Sequence, residues 1–204
     1  AASLDGRTAM ASGESQWITG PAAREDVQRL RAMSCAIVTG VGTVLADDCA
    51  LTVRGAQPTA NRQPLRVVLD STLQTPANAN ILDGSAPTLL CHDDSKSVSA
   101  EISATGVDLL PLARVENGLD LVALVDHLAA RHCNEILVES GPRLAGALLQ
   151  AGLLDEMIVY MAPTLMGSAA QPLLQLPLDS MSQKVSLEVV DVRRVGQDWR
   201  FTAI

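Results

Sequence analysis

The residues best suited to bind or react with a ligand lie in the stretch that begins at Asn134 and reads NEILVESGPRLAGALLQAG. Its apolar run at 136–138 predicts a short strand buried on both faces, and Glu139 follows that strand directly. A carboxylate in this position costs free energy unless it meets a partner or a ligand. Gly141 and Pro142 then predict the first turn of a helix, because proline has no N–H group to lose there.

A strand that passes into a helix through a glycine turn leaves backbone N–H groups pointing at the space beyond the strand end. The helix dipole favours an anion at the same place, so the stretch is a candidate cradle for a phosphate. Gly141 and Gly146 do not make the G-x-G-x-x-G dinucleotide fingerprint. The pattern by itself therefore leaves open a purely structural strand-turn-helix unit.

Arg31 and the adjacent pair Asp47 and Asp48 are further candidates, each with an ordinary structural alternative. Arg31 falls beside the apolar stripe of a predicted helix. There it is placed either to bind a phosphorylated small molecule or to extend along the surface into an ion pair. Adjacent aspartates commonly cap a turn and face solvent.

Several other kinds of chemistry are not indicated. The sequence has neither a G-x-S-x-G nucleophile motif nor a Walker A loop. The four cysteines form no CxxC pair, so no metal site or disulfide scaffold is predicted. The net charge of −8 argues against a nucleic-acid surface. No apolar run approaches the roughly 20 residues of a membrane helix, so we expect a globular protein without membrane contact. The widely spaced cysteines favour reduced thiols in a cytoplasmic protein.

Strands alternate with helices along the chain, which predicts an α/β sheet with an antiparallel edge. Strands are predicted at 35–39, 65–69, 88–91, 107–110, 136–138 and 156–161, followed by a hairpin of 185–195 and 198–203. Helices are predicted over 21–33, 95–103 and 119–131, and from Pro142 to a cap at Gly152. A glycine turn at 40–43 precedes a short turn or helix at 44–46, while 55–64 and 165–177 have the composition of loops. In such sheets ligands bind beyond the carboxyl ends of the strands, which here follow Thr39, Leu69 and Val138.

Four blocks, in this order, resemble the reductase domain of the bifunctional deaminase-reductases of riboflavin biosynthesis. They are SLDGR from Ser3, GESQWIT from Gly13, GTVLADD from Gly42 with LTVR from Leu51, and ESGP from Glu139. The resemblance runs nearly end to end, and four matched blocks in the right order rarely arise by chance. It implies a dihydrofolate-reductase-like α/β fold, with a mixed, mostly parallel sheet flanked by helices and a C-terminal antiparallel hairpin. It also implies a single reductase domain over residues 1–204.

The resemblance further implies NADPH-dependent reduction of 5-amino-6-(5-phosphoribosylamino)uracil, in which the ribosyl group becomes ribityl. The implied cofactor contacts are Ala1, Trp17, Thr43, Asp47, Ser71, Gly141, Pro142, Arg143, Leu144, Ala145, Gly146 and Ala147. The implied substrate contacts are Ser15, Arg31, Leu51, Arg54 and Glu139. Hydride passes to the sugar C1′ of an opened, imine-like form, while a proton reaches the ribose oxygen or the nitrogen. Asp47 is the candidate for organising that end of the reaction, either as an orienter or through a water.

The sequence departs from the family pattern in three respects. Family members usually continue upstream of Ala1 with a first strand that includes a lysine, so we expect a truncated first strand. The H-x-E and P-C-x-x-C motifs of a zinc deaminase are missing, so that domain is expected in a longer parent chain. Cys49 stands where a proline often follows the aspartate pair. The family also implies a homodimer.

Three alternatives stay open at this point. A related reductase of the same fold would act on another pyrimidine or a pterin, although Arg31 and Arg54 favour a phosphorylated substrate. A non-catalytic module would bind NADPH without turnover, and a structural remnant would fold only as a dimer. The choice of NADPH over NADH is an implication of the resemblance, because no residue identifies a site for the 2′-phosphate.

Overall fold

The computed structural model describes residues 1–55, 62–116 and 118–204. These form two compact units, one made of Gln28–Leu144 and the other of Ala1–Val27 with Ala145–Ile204. The strands are β1 (Ala2–Ser3), β2 (Arg7–Ala9), β3 (Ala36–Gly40), β4 (Leu65–Leu69), β5 (Thr88–Asp93), β6 (Asp108–Leu112), β7 (Arg114–Val115), β8 (Gly118–Leu119), β9 (Ile136–Val138), β10 (Met157–Ala162), β11 (Gln171–Pro172), β12 (Val189–Val195) and β13 (Asp198–Ala203). The α-helices are α1 (Pro21–Met33), α2 (Val41–Asp47), α3 (Ala100–Ala104), α4 (Leu121–Ala130) and α5 (Pro142–Gln150).

The unit Gln28–Leu144 is built on a parallel sheet of five strands in the order β6-β5-β4-β3-β9. Side chains of a strand point alternately to the two faces of its sheet. The two faces therefore carry separate hydrophobic clusters: Val38 packs in one with Leu124 of α4, and Ile37 packs in the other with Val44 of α2. The carboxyl ends of the strands thus share one edge of a sheet that is covered on both faces.

The strand β9 has the predicted bounds, but its predicted burial on both faces is wrong. All three of its residues are half-buried, and within the described residues β9 pairs with β3 alone, at the edge of the sheet. Ile136 and Val138 pack against one cluster and Leu137 against the other. The apolar run therefore reflects contacts on both faces, whereas the exposure follows from the strand's place in the sheet, which a local pattern does not encode.

The helix α2 begins directly where β3 ends, so the predicted glycine turn at 40–43 is wrong. Gly40 is the N-cap residue and has an extended backbone, while Gly42 and Thr43 lie inside the helix. The predicted turn or helix at 44–46 is thereby extended to seven residues. Burial of Val44 against the sheet holds a helix that its glycine content alone disfavours.

The other unit contains a sheet of four strands in the order β1-β10-β13-β12. β1 runs parallel to β10, and β12 and β13 form the predicted hairpin around Gly196, whose φ is 64°. The α/β class, the mainly parallel sheet and the closing hairpin are confirmed. The hairpin belongs to this second sheet, whereas the sequence pattern placed it at the edge of a single sheet.

A buried carboxylate joins the first half of α1 to β10 within this unit. The hydroxyl of Tyr160 donates to Asp26 Oδ2 at 2.6 Å, and Arg200 Nη1 lies 3.2 Å from the same oxygen. Burial, followed by the hydrogen bond to Asp26, raises the pKa of Tyr160. The phenol therefore stays protonated and remains a donor.

Smaller differences concern element ends and loops. The helix predicted at 95–103 is confined to α3, and the predicted loop at 165–177 contains β11, which pairs with β2. Most of the predicted loop at 55–64 lies outside the described residues.

In the described ranges no helix is long and apolar enough to cross a membrane. The same ranges contain no group of three or more His, Cys, Asp or Glu side chains arranged to hold a metal ion.

Candidate active site

An ion pair between Glu139 and Arg31 closes the carboxyl end of β9. Arg31 Nε donates to Glu139 Oε1 at 2.6 Å, and Arg31 Nη2 donates to Oε2 at 2.7 Å. Only 10% of the arginine side chain and 24% of the glutamate side chain are exposed. The structure therefore brings together two residues that were predicted to bind substrate, and it supplies the partner that the position of Glu139 demanded.

The guanidinium of Arg31 is engaged on a third side as well. Its Nη1 donates to the carbonyl oxygen of Thr52 at 3.0 Å. Burial alone would lower the pKa of Arg31, but the hydrogen bonds and charge of Glu139 outweigh it and raise that pKa. Because the two charges neutralise each other locally, Arg31 fixes the orientation of the Glu139 carboxylate.

Asp47 is the last residue of α2 and is exposed. Burial, and then the negative charge of Asp47, raise the pKa of Cys49 to about 11, and the same thiol also interacts electrostatically with Arg31 and Glu139. Cys49 is therefore uncharged at neutral pH and lies among three charged groups. Asp48 fixes the end of α2, since it has a left-handed φ of 42° and accepts a hydrogen bond from the Asn80 amide at 2.9 Å.

Leu51 and Arg54 lie on segment 50–54, which forms no helix or strand. Leu51 is 5% exposed and has a φ of 47°, a left-handed conformation that is unusual for leucine. The backbone amide of Arg54 donates to Gln28 Oε1 at 2.8 Å, while its side chain is exposed. Arg54 therefore presents a charged group to solvent from a backbone that is held in place.

Ser71 and Thr43 are placed by two neighbouring strands, β4 and β3. Ser71 follows β4 directly after the buried Asp70, whose Oδ2 accepts hydrogen bonds at 2.7 Å from both the amide and the hydroxyl of Thr75. Thr43 is half-buried in α2, the helix that β3 enters. Both predicted cofactor contacts thus lie just beyond the carboxyl edge of the parallel sheet.

The turn at Gly141 leaves space for a ligand. A β-carbon built on Gly141 would meet no atom within 4 Å, and the residue is exposed. Pro142 is the first residue of the nine-residue α5, as predicted. Of the next two predicted contacts, Arg143 is exposed and Leu144 is half-buried. The N-terminus of α5 therefore has the open backbone that binding of an anion requires.

The remaining predicted contacts on α5 belong to the other unit and are Ala145, Gly146 and Ala147. A β-carbon built on Gly146 would lie 2.2 Å from the carbonyl oxygen of Gln175, so only glycine fits beneath that backbone. The structure gives Gly146 a packing role, and its contact with a cofactor stays a prediction.

Three further predicted contacts also belong to this unit. Ala1 is exposed and Ser15 is half-buried. The indole of Trp17 is 66% exposed, and the guanidinium carbon of Arg24 lies 4.5 Å from the centre of its ring. This cation–π contact holds one face of the indole. An exposed aromatic side chain of this kind suits stacking with a flat ligand.

The sequence analysis did not identify the side chains that hold segment 50–54, which are Gln28, Gln63 and Arg66. A signal for Arg66 was present, because a charged residue inside the apolar strand LRVVL has to be paired. Arg66 is fully buried and forms an ion pair with Asp83 at 3.0 Å. The two glutamines carry no comparable signal, since their partners are backbone groups brought near by folding.

Comparison with known proteins gives consistent results. The family model described as RibD C-terminal domain matches residues 1–201. The riboflavin biosynthesis protein RibD of Escherichia coli K12 is 48% identical, over 97% of this chain and 56% of that protein. The structure of Acinetobacter baumannii RibD, form 1, has a TM-score of 0.88 and 40% identity, and the match covers all of this chain and 55% of that one.

A more distant structure extends the comparison of the fold alone. It is the deaminase/5-amino-6-(5-phosphoribosylamino)uracil reductase of Thermotoga maritima, with a TM-score of 0.82 and 22% identity over 99% of this chain and 54% of that one. The chain thus spans about half the length of the relatives it matches. The match over residues 1–201, together with the identity to the E. coli protein, shows that the chain belongs to the RibD C-terminal domain family.

Proposed function

We propose that this chain is a reductase of riboflavin biosynthesis that converts 5-amino-6-(5-phosphoribosylamino)uracil into its ribityl counterpart with NADPH. Membership of the RibD C-terminal domain family supports the proposal. One structural observation carries it: an oriented carboxylate, Glu139, stands two residues before the open turn at Gly141. A group able to bind a polar substrate and a helix start able to bind an anion therefore follow one another at the end of β9.

Two features, each within its own compact unit, suit parts of a nicotinamide dinucleotide. The open N-terminus of α5 suits a pyrophosphate, and the exposed indole of Trp17 suits a flat ring. NADPH supplies a hydride when bound. The proposed cofactor contacts are those implied by the family resemblance, namely Ala1, Trp17, Thr43, Asp47, Ser71 and the seven residues from Gly141 to Ala147.

The proposed substrate contacts have distinct tasks. Arg54 supplies an exposed positive charge for the sugar phosphate, and Glu139, oriented by Arg31, accepts hydrogen bonds from polar hydrogens of the substrate. Leu51 and Ser15 complete the set. Asp47 is exposed at the end of α2, and its proposed task is to hold or relay a proton at the ribose oxygen or the nitrogen.

We also propose a homodimer, and we place the second copy against the hairpin. β12 is an edge strand of its sheet, and Val189, Val190, Val192 and Trp199 of the hairpin are each about half exposed. An exposed apolar edge strand is a template for pairing with another chain. A Val190→Lys, Val192→Lys variant is expected to sediment as a monomer where the unchanged chain sediments as a dimer, and equal sedimentation would remove this interface.

The parent protein is proposed to carry a zinc deaminase domain as well, because the matched relatives extend well beyond the shared region and the T. maritima relative is named for both activities. The cytoplasmic location stays a prediction.

The proposal is tested by adding NADPH to the purified chain, with and without the phosphoribosylamino-pyrimidine, and following the loss of reduced-nicotinamide absorbance. A parallel titration measures the Kd for NADPH. Oxidation that depends on the substrate supports the reductase. NADPH binding without oxidation would instead favour the non-catalytic binding module, and oxidation driven equally by a pterin would favour a related reductase.

A further inference from the structure

Side chains from elsewhere in the chain form hydrogen bonds with the backbone of segment 50–54. Arg66 Nη1 donates to the carbonyl oxygen of Ala50 at 3.1 Å, and Arg31 Nη1 donates to that of Thr52 at 3.0 Å. At the other end of the segment, Gln28 Oε1 accepts from the amide of Arg54 at 2.8 Å. A segment with no helix or strand of its own is thereby held at fixed points along its length.

Gln63 makes the most extensive of these contacts. Its Oε1 accepts from the amide of Val53 at 2.8 Å, and its Nε2 donates to the carbonyl oxygen of the same residue at 3.1 Å. A residue in an antiparallel partner strand exchanges the same two bonds with its opposite. The side-chain amide of Gln63 therefore does for Val53 what a neighbouring strand would do.

Fixing Val53 also fixes the direction of Arg54. Val53 is 5% exposed, so its side chain lies in the interior, whereas the side chain of the next residue, Arg54, is exposed. As long as Gln63 holds both backbone groups of Val53, that residue keeps its side chain in the interior and the next residue is turned outward.

We infer that Gln63 is a positioning residue for the phosphorylated substrate, acting through Val53 to aim Arg54. This inference rests on the proposed function. Gln63 can also be replaced with less disturbance than either arginine that holds the segment. Arg66 is fully buried and bonds several other groups, and Arg31 is engaged with Glu139, so replacing either arginine would disturb much more than the segment.

The test compares the unchanged chain with Gln63→Ala and Gln63→Glu. Gln63→Ala is expected to raise the KM for the phosphoribosylamino-pyrimidine about tenfold, because two hydrogen bonds that hold the segment are lost. The kcat and the Kd for NADPH should each change less than about twofold. Gln63→Glu keeps the acceptor but turns a second carboxylate oxygen towards the carbonyl oxygen of Val53, so it should raise the KM at least as much as Gln63→Ala.

Two further measurements separate positioning from a general loss of structure. In Gln63→Ala the amide of Val53 should exchange its hydrogen faster, while the amides of β3 and β4 keep their protection. In a double-mutant cycle with Arg54→Ala, the two effects on KM should fall short of additive, since Gln63 acts through Arg54. The exposed Gln150→Ala serves as the control for a glutamine replacement.

The outcomes distinguish the inference from the function on which it rests. If the unchanged chain reduces the substrate and Gln63→Ala has an unaltered KM, the inference alone is overturned. An equal loss of NADPH affinity and thermal stability in Gln63→Ala would likewise reduce Gln63 to a structural residue. If the unchanged chain neither binds nor reduces the substrate, the proposed function fails and the inference fails with it.

Discussion

Arg31 and Glu139 are 108 residues apart in the sequence and meet through two parallel hydrogen bonds of 2.6 and 2.7 Å. Each was interpreted separately as a ligand for the substrate. Their pairing means that neither side chain acts alone, because removal of one leaves a mostly buried charge on the other.

Replacement of Glu139 by glutamine should therefore destabilise the fold as well as the site. We expect the free energy of unfolding to fall by about 2 kcal/mol, which is less than for a fully buried pair because Glu139 is partly exposed. Urea denaturation measures the loss, with the exposed Glu135→Gln as the control. An unchanged urea midpoint would show that the pair contributes nothing to stability.

Replacement of Arg54 by alanine should separate the binding of substrate from the binding of cofactor. The charge-assisted bonds of its exposed guanidinium are lost, so we expect the KM for the phosphorylated pyrimidine to rise about 10- to 100-fold. The Kd for NADPH should stay within about twofold, and Arg131→Ala provides a matched control from an exposed ion pair. Equal loss of both affinities would remove the substrate assignment of Arg54.

Replacement of Gly141, just before α5, and of Gly146, within α5, should have different effects on cofactor binding and on stability. Gly141 has open space around it, so Gly141→Val should weaken NADPH binding at least about tenfold while the melting temperature is retained. Gly146→Ala places a carbon against the carbonyl of Gln175 and should lower the free energy of unfolding by about 1–3 kcal/mol.

Binding titrations and thermal melts on both variants measure these effects. Unchanged NADPH affinity in Gly141→Val would return that turn to a structural role, and an unchanged melting temperature in Gly146→Ala would contradict the close packing.

Acid stability should depend on Asp5. Its carboxylate accepts hydrogen bonds from the Ser3 hydroxyl and from the amides of Met166 and Gly167. The bond from Ser3 is the main reason that the pKa of Asp5 is lowered from 3.8 to about 2. Because the folded-state pKa lies below the usual value, ionised Asp5 stabilises the fold above pH 3.8, and this contribution is lost as the pH falls towards 2.

The Asp5→Asn variant should accordingly melt at a lower temperature than the unchanged chain at neutral pH. Thermal melts between about pH 2 and pH 6 should show the difference shrinking on acidification, with the exposed Asp155→Asn as the control. A difference that is constant across this range would exclude Asp5 as the titrating group.

Local patterns predicted much of the framework. The bounds of β4 and β9 and of α1 agree with the prediction, because apolar runs ended by glycine, proline or charged residues mark element ends. The resemblance also pointed to Arg31 and Glu139, which the structure pairs.

The remaining features depend on tertiary contacts that no local pattern contains. Gly40 looked like the start of a turn, yet burial of Val44 lets a helix begin at the next residue. The edge position of β9 depends on which strands lie beside it. The side chain of Gln63 forms a hydrogen bond with the backbone of Val53, and a contact of this kind produces no periodic pattern in the sequence.

Segment 50–54 also bears on how proteins of this architecture diverge. Its shape is set by individual side chains, whereas the sheet beneath it is held by its own ladder of backbone bonds. A single replacement at Gln28 or Gln63 can therefore alter the surface that this segment presents without changing the sheet. The segment can thus change shape in small steps at one edge of a scaffold that stays the same.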